Sequence, residues 1–295
     1  MFLASALQST LALYASTSNL SRAKALQVAP QLQHRRSDAR PGVSVIVLNR
    51  DRPEFIIPLL DQLLLEQQGC TRQGLAMEII VGDTGSSDVA VLRRCEQLSD
   101  RIRVCFSPDY HFSENNNHLF FECSSCDTVL FLNNDIILPS TGCTVFEVYS
   151  CLHNNSLDVL GAVLFFPDGS IQHCGIEFLR EPAVCGLPFH PHAREFRSED
   201  TWPLLRTCPA VTGACLMIRS ELFESIGGFD PAFRKELQDV DLCLAVHRTG
   251  GRIGVGRFGR IVHVENGTRP KGEESWPERQ AFLRRWGNYI DACFL

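Results

Sequence analysis

Apolar and polar positions alternate along the chain in two rhythms that take turns. After Pro41-Gly42, VSVIVL (43–48) is a β-branched run of strand type. PEFIIPLLDQLLLEQQ (53–68) then places Leu and Ile at helical spacing. Pro58 interrupts that helix, so the pattern predicts a first turn and a restart with Pro58 near the new first position. MEIIVG (77–82) is a second strand, and Ser87 or Asp88 caps a helix through about Leu98. RIRVCF (101–106) is a third strand, Ser113 starts a helix to about Cys123, and TVLFL (128–132) is a fourth strand. The second half is less regular. It contains VLGAVLFF (159–166), a PDGS turn (167–170), a loop rich in Pro and His (182–192), and AVTGACLMI (210–218). A short helix near Glu221 to Ile226 stops at Gly227-Gly228, and QDVDLCLAVHR (238–248) stops at Gly250-Gly251.

Strand and helix alternating four times, with continuous apolar strands, predict an α/β fold. Its mostly parallel, Rossmann-like sheet carries helices on both faces. Such sheets bind ligands beyond the carboxyl ends of their strands. That rule selects Asn49 to Asp51, Asp83 to Ser87 and Asn133 to Asp135, all polar and each following a buried strand. The last group is the most telling. In VLFLNNDIIL (129–138) two amides and a carboxylate interrupt an apolar run, and burying them without partners costs several kcal/mol. A ligand is expected to meet them.

Composition narrows the classes. The 295 residues carry 28 Lys and Arg against 34 Asp and Glu, a net charge of −6, which argues against a nucleic-acid partner. A few local cations or a metal would still admit a phosphate-bearing small molecule. The 13 cysteines form no regular framework and read as structural thiols of a reducing compartment. Cys123-Ser-Ser-Cys126 is the one close pair in sequence, and no histidine stands near it to complete a zinc site. No apolar run is long enough for a membrane span. Residues 1 to 37 lack acids and include Arg22, Lys24, Arg35 and Arg36, a composition like an organelle transit peptide or a disordered extension. The expected organisation is therefore an extension over 1–40 and a single domain over 41–295. The expected location is intracellular and cytoplasmic, or an organelle if the extension targets one.

Several segments, in order, resemble the family 2 glycosyltransferases, which have the GT-A fold: LNRDRPE, GDTGSSD, FSENNN, FLNND, PDGSIQHCGI, VTGACLMIRSELFESIGGFD, QDVDLCLAVHRTGGRI and VHVENGTR. The likeness covers roughly residues 41 to 290. It implies inverting transfer of a sugar from a nucleotide-diphosphate donor to a hydroxyl of a saccharide or glycoconjugate acceptor, with a divalent metal, Mn²⁺ or Mg²⁺.

By the same resemblance, FLNND stands where the family keeps its DXD-type motif. Asp135 is then the metal ligand, and Asn133 bonds to the donor or to metal-bound water. Asp83 accepts from the nucleotide base, with an Asp-Thr-Gly turn as the alternative. Asn49 and Asp51 fall where the family contacts the nucleoside; a plain turn before Pro53 is the alternative. Asn116 is assigned to the donor, against a helix-face amide in solvent. The general base maps onto Asp239, where Gln238 replaces a more usual acid or Asn, and a helix cap is the competing role. Asp241 supports the helix start. His263 matches a histidine near the metal or diphosphate, and Arg269 would contact the diphosphate. Gln172-His173 fits a family pattern or a structural hairpin contact.

Gln280 with Arg284-Arg285-Trp286 resembles the QxxRW signature of processive members, but Leu283 stands where Arg is required. A processive polymerase is rejected, and the helix around Phe282 to Trp286 is expected to pack its aromatics on the domain. Two other classes compete: a nucleotide-sugar-binding protein without catalysis, which intact Asp135 and Asp239 oppose, and a nucleotidyltransferase. The latter needs a Gly-rich phosphate loop after the first strand, and LNRDRPE lacks the glycines.

Overall fold

The computed structural model describes residues 39–107, 109–196, 203–265 and 275–295. Strand β1 (Arg40–Asn49) leads through helix α1 (Pro53–Arg72) to β2 (Ala76–Asp83). Helix α2 (Val89–Gln97), β3 (Arg103–Phe106), α3 (Phe112–Cys123) and β4 (Cys126–Asn133) follow. These four strands pair in parallel in the order β3-β2-β1-β4. Pairing in register sets Asn49 opposite Asp83 and Leu48 opposite Asn133, so the polar strand ends stand side by side.

Beyond β4 the chain forms β5 (Ile136–Ile137), α4 (Thr144–Asn154), β6 (Val159–Phe165) and β7 (Ile171–His173). A ribbon of β8 (Glu177–Phe178) and β9 (Pro188–Phe189) precedes β10 (Leu205–Thr207), β11 (Cys215–Arg219), α5 (Ser220–Ser225), α6 (Gln238–Arg248), β12 (Ile253–His263) and α7 (Trp276–Phe294). Strand β11 runs antiparallel to both β4 and β6 and joins the two halves into one sheet. Strand β12 is parallel to β6, and its end pairs with β5.

Alternation along each strand divides the core. Val43, Val45 and Val47 face α1, α2 and α4, whereas Ile46 faces α3, α5, α6 and α7. Helices thus cover both faces, as the apolar strand pattern requires.

Pro58 departs from expectation. Helix α1 passes through it without a break and begins at Pro53. The residue costs about 3 kcal/mol through the lost bond to the Glu54 carbonyl. Glu54 and Pro58 are both exposed, so water can serve that carbonyl. Ile56, Leu59, Leu60, Leu63 and Leu64 on the opposite face are buried, each contributing roughly 1.5–3 kcal/mol. Packing outweighs the break.

All 13 cysteines are free thiols. The sulfur beside Cys123 is that of Cys105, at 3.3 Å, and Cys126 is buried at the start of β4. The Cys105 thiol, helped by Arg103, brings Cys123 down to about 7. Among the described residues, no helix is long and apolar enough to cross a membrane.

Phe282, Trp286 and Ile290 bury the inner face of α7, as its aromatics suggest. Asp241, fully buried, locks it in place by accepting from Arg285 Nη1 and Trp286 Nε1, each at 2.8 Å. Asp241→Ala leaves the buried indole N–H unpaired. The expected loss is about 1–3 kcal/mol, read as a lower urea midpoint at unchanged slope.

Candidate active site

Four strand ends and one helix start build the site. Asn49, 2% exposed at the end of β1, accepts from Asn134 Nδ2 at 2.8 Å and donates to Ser86 Oγ at 3.4 Å. It ties the end of β1 to the turns after β2 and β4. Asp83 makes the turn that is one of its two sequence readings. Its Oδ1 accepts from the N–H of Gly85 (3.1 Å) and Ser86 (2.8 Å), making the turn. Its Oδ2 is buried with no hydrogen-bond partner among the described residues. An orphaned carboxylate oxygen marks a place for a ligand donor.

Asp51 makes contacts of its own beyond β1. Its Oδ1 accepts from the N–H of Ser87 (2.6 Å) and Asp88 (2.8 Å), bracing the loop after β2. Those bonds lower its pKa, and the residue is absent from the cavity wall described below. Asn116 is no solvent-facing amide: it is 2% exposed, donates to the Phe112 carbonyl at 3.0 Å and lines the cavity.

Pairing of β5 with β12 sets His263 opposite Ile136, next to Asp135. His263 Nε2 lies 3.1 Å from Asp135 Oδ1 and 3.2 Å from Asn133 Nδ2. Its Nδ1 lies 2.7 Å from Gln172 Oε1, while Gln172 Nε2 donates to the His263 carbonyl at 3.3 Å. That second bond orients the amide with its oxygen toward the ring, so Nδ1 carries a proton while Nε2 faces Asp135 and Asn133. Gln172 is thus the partner that fixes a ring, a role its sequence left open. A ring nitrogen and a carboxylate oxygen this close are held together by a cation between them, a proton or a metal ion. The pair therefore fits a divalent metal, with the outer hydrogen bond that metal-binding histidines commonly have. Among the described residues no group of three or more His, Cys, Asp or Glu is assembled. Such an ion would complete its shell with ligand oxygens and water.

Asp239 lies in the first turn of α6. Its helix cap is Leu237, left-handed at φ 72°, with no side-chain cap bond, which overturns the capping role. Asp239 sits inside the first turn and accepts from Val240 N at 2.9 Å through Oδ1 and from Gly213 N at 2.8 Å through Oδ2. Each oxygen spends one lone pair and keeps another. Gly213 permits this approach, since a Cβ there would meet Phe112 Cζ at 3.1 Å and Asp239 Cβ at 3.5 Å.

The two halves enclose a cavity of about 950 Å³, whose wall includes Asn49, Asn116, Asn133, Asp135, Asp239 and His263. Asp83 and Asp51 are not part of that wall. Arg269 lies outside the described residues. Asn134, His190 and Gln238 also line the cavity. Asn134 belongs to the polar strand end that the sequence selects, His190 to the loop rich in Pro and His without a role assigned, and Gln238 is a departure from the family pattern.

No family model matches the chain. It is 29% identical to O-antigen biosynthesis protein RfbC of Myxococcus xanthus over 238 residues, 78% of this chain and 18% of that protein. It is 30% identical to uncharacterized protein y4gI of Sinorhizobium fredii over 263 residues, 86% of this chain and 27% of that protein. The chain therefore spans about a quarter or less of the curated relatives it matches. Among solved structures, GalNAc-T7 with UDP, GalNAc and Mn²⁺ superposes with a TM-score of 0.61 at 12% identity, over 85% of this chain and 49% of that one. Mannosyltransferase PcManGT from Pyrobaculum calidifontis, in complex with GDP-Man and Mn²⁺, gives 0.54 at 17%, over 90% and 72%. S. aureus TarS gives 0.53 at 15%, over 86% and 44%. The fold is GT-A.

Gln172→Leu removes the acceptor for His263 Nδ1–H. The proton then moves to Nε2, where Asp135 Oδ1 accepts it, and ¹⁵N shifts of the His263 ring should report that exchange of tautomer. A ring that stays Nδ1-protonated would show that Gln172 does not set it.

Proposed function

We propose that this chain is a metal-dependent, inverting glycosyltransferase of the family 2 type. It moves a sugar from a nucleotide-diphosphate donor to a hydroxyl of a saccharide or glycoconjugate acceptor. The observation that carries this reading is one cavity whose wall holds both the Asp135–His263 pair and Asp239. The GT-A fold and the nucleotide, sugar and Mn²⁺ bound in GalNAc-T7 and PcManGT support it.

In this reading Asp83 Oδ2 accepts a base N–H, and Asn49 holds the loops around the nucleoside. Asn116 contributes from the cavity wall. Asp135 and His263 hold a divalent ion, Mn²⁺ or Mg²⁺, whose chemistry is to offset charge on the leaving nucleoside diphosphate. Asn133 bonds to the donor or to metal-bound water. Arg269 adds a charge-assisted bond to the diphosphate. Asp239 takes the proton of the acceptor hydroxyl while that oxygen bonds to the anomeric carbon and the bond to the diphosphate oxygen breaks. Asp241 is unavailable as a base, because Arg285 and Trp286 occupy it.

A panel of UDP- and GDP-sugars, assayed for hydrolysis and transfer with Mn²⁺ or Mg²⁺, tests the reading; no turnover with any donor would refute it. Asp135→Ala is expected to abolish both turnover and its response to Mn²⁺. A variant that kept the wild-type metal response would remove Asp135 from the metal site.

Asp239→Asn should slow transfer by ~10²–10⁴ with nucleotide affinity by calorimetry nearly unchanged. Asn can accept only one of the two backbone N–H groups that Asp239 now serves, so a modest fall in melting temperature should accompany the loss. Turnover near wild type in the folded variant would rule out the base.

A further inference from the structure

Two polar side chains beside Asp239 have no part in the roles above. Gln238 lines the cavity at the first position of α6 and is 5% exposed, yet its Nε2 has no hydrogen-bond partner among the described residues. A buried N–H without an acceptor in the protein points to an oxygen supplied by a ligand. The second is His190, which follows β9 and is exposed in the cavity wall.

The proton position on His190 follows from its neighbour. His173 Nε2 accepts from the backbone N–H of Gly175 at 3.3 Å and of Thr212 at 3.4 Å. Its own proton is therefore on Nδ1, which lies 3.0 Å from His190 Nδ1. His190 Nδ1 must accept, and its proton is on Nε2, on the far side of the ring from His173. Desolvation by the surrounding protein keeps both rings below the ordinary histidine range, although the carboxylates of Asp239 and Glu265 pull His190 upward. Each ring then carries one proton.

Gln238 directly precedes Asp239, and the Asp239 carboxylate is close enough to His190 to act on its charge. If the proposed reaction inverts the anomeric carbon, the acceptor enters opposite the leaving diphosphate, away from Asp135 and His263. We propose that Gln238 Nε2 and His190 Nε2 are the hydrogen-bond donors that hold the acceptor, gripping oxygens that flank its attacking hydroxyl. Leu179, Val184 and Leu187 in the same wall take the C–H face of the ring. The ligand class is a neutral or acidic saccharide with hydroxyl, ring or carboxylate oxygens at those positions. This inference rests on the glycosyltransferase reading above.

The test is steady-state transfer by the full chain, with methyl and p-nitrophenyl glycosides as acceptors. UDP and GDP titrations with Mn²⁺ monitor the donor site. Gln238→Leu and His190→Phe should each raise the acceptor KM about 2–12-fold, the worth of one neutral hydrogen bond. The donor KM and nucleotide affinity should hold steady, and kcat should change little. His190→Gln, whose amide N–H stands near the position of Nε2, should recover most of the loss. Should Gln238→Leu not fold, the isosteric Gln238→Glu exchanges the donor for an acceptor and carries the same expectation. An unchanged acceptor KM in folded variants would overturn the assignment, as would a rise confined to the donor KM. A wild-type chain that turns over no donor defeats the enzymatic reading itself, and this inference with it.

Discussion

Parallel pairing of β1 with both β2 and β4 fixes where their polar ends fall, and the site depends on that register. Asn49 stands opposite Asp83, and Leu48 opposite Asn133. A slip of one residue would turn Val43, Val45 and Val47 from one helix layer to the other, exchanging them with Ile46. Register is therefore held by the whole apolar core. The amides and carboxylates at the strand ends inherit their positions from packing they take no part in.

Strand β11 supplies the second constraint. By running antiparallel between β4 and β6, it brings the irregular half of the chain against the regular one. Gly213 lies just before it and donates to Asp239, while β12 beyond β6 delivers His263 to Asp135. The cavity is a consequence of joining the two halves.

Nearby acids are separated by environment. Asp239 and Asp241 lie two positions apart on α6, which turns them to opposite sides of the helix. One faces the cavity and keeps lone pairs free; the other is fully buried and spends its charge on α7. Asp83 and Asp51 differ likewise: one retains an unpartnered oxygen, the other braces a loop. These contrasts show why a carboxylate in a motif does not declare its role.

Much of the fold was legible because apolar periodicity records local backbone preference and which side of an element is buried. From it came the four parallel strands, their helices, and the polar strand ends that include Asn49, Asp83 and Asp135. Tertiary structure decided the rest. Pro58 stays within α1 because side chains distant in sequence reward the unbroken helix. Asp239 is not a cap because Leu237 turns left-handed and Gly213 arrives from another strand. His190 acquires a defined proton only through His173, and His263 through Gln172, 91 positions away. Periodicity carries no record of such pairings, since a hydrogen bond between distant residues exists only once strand order and register have brought its two ends together.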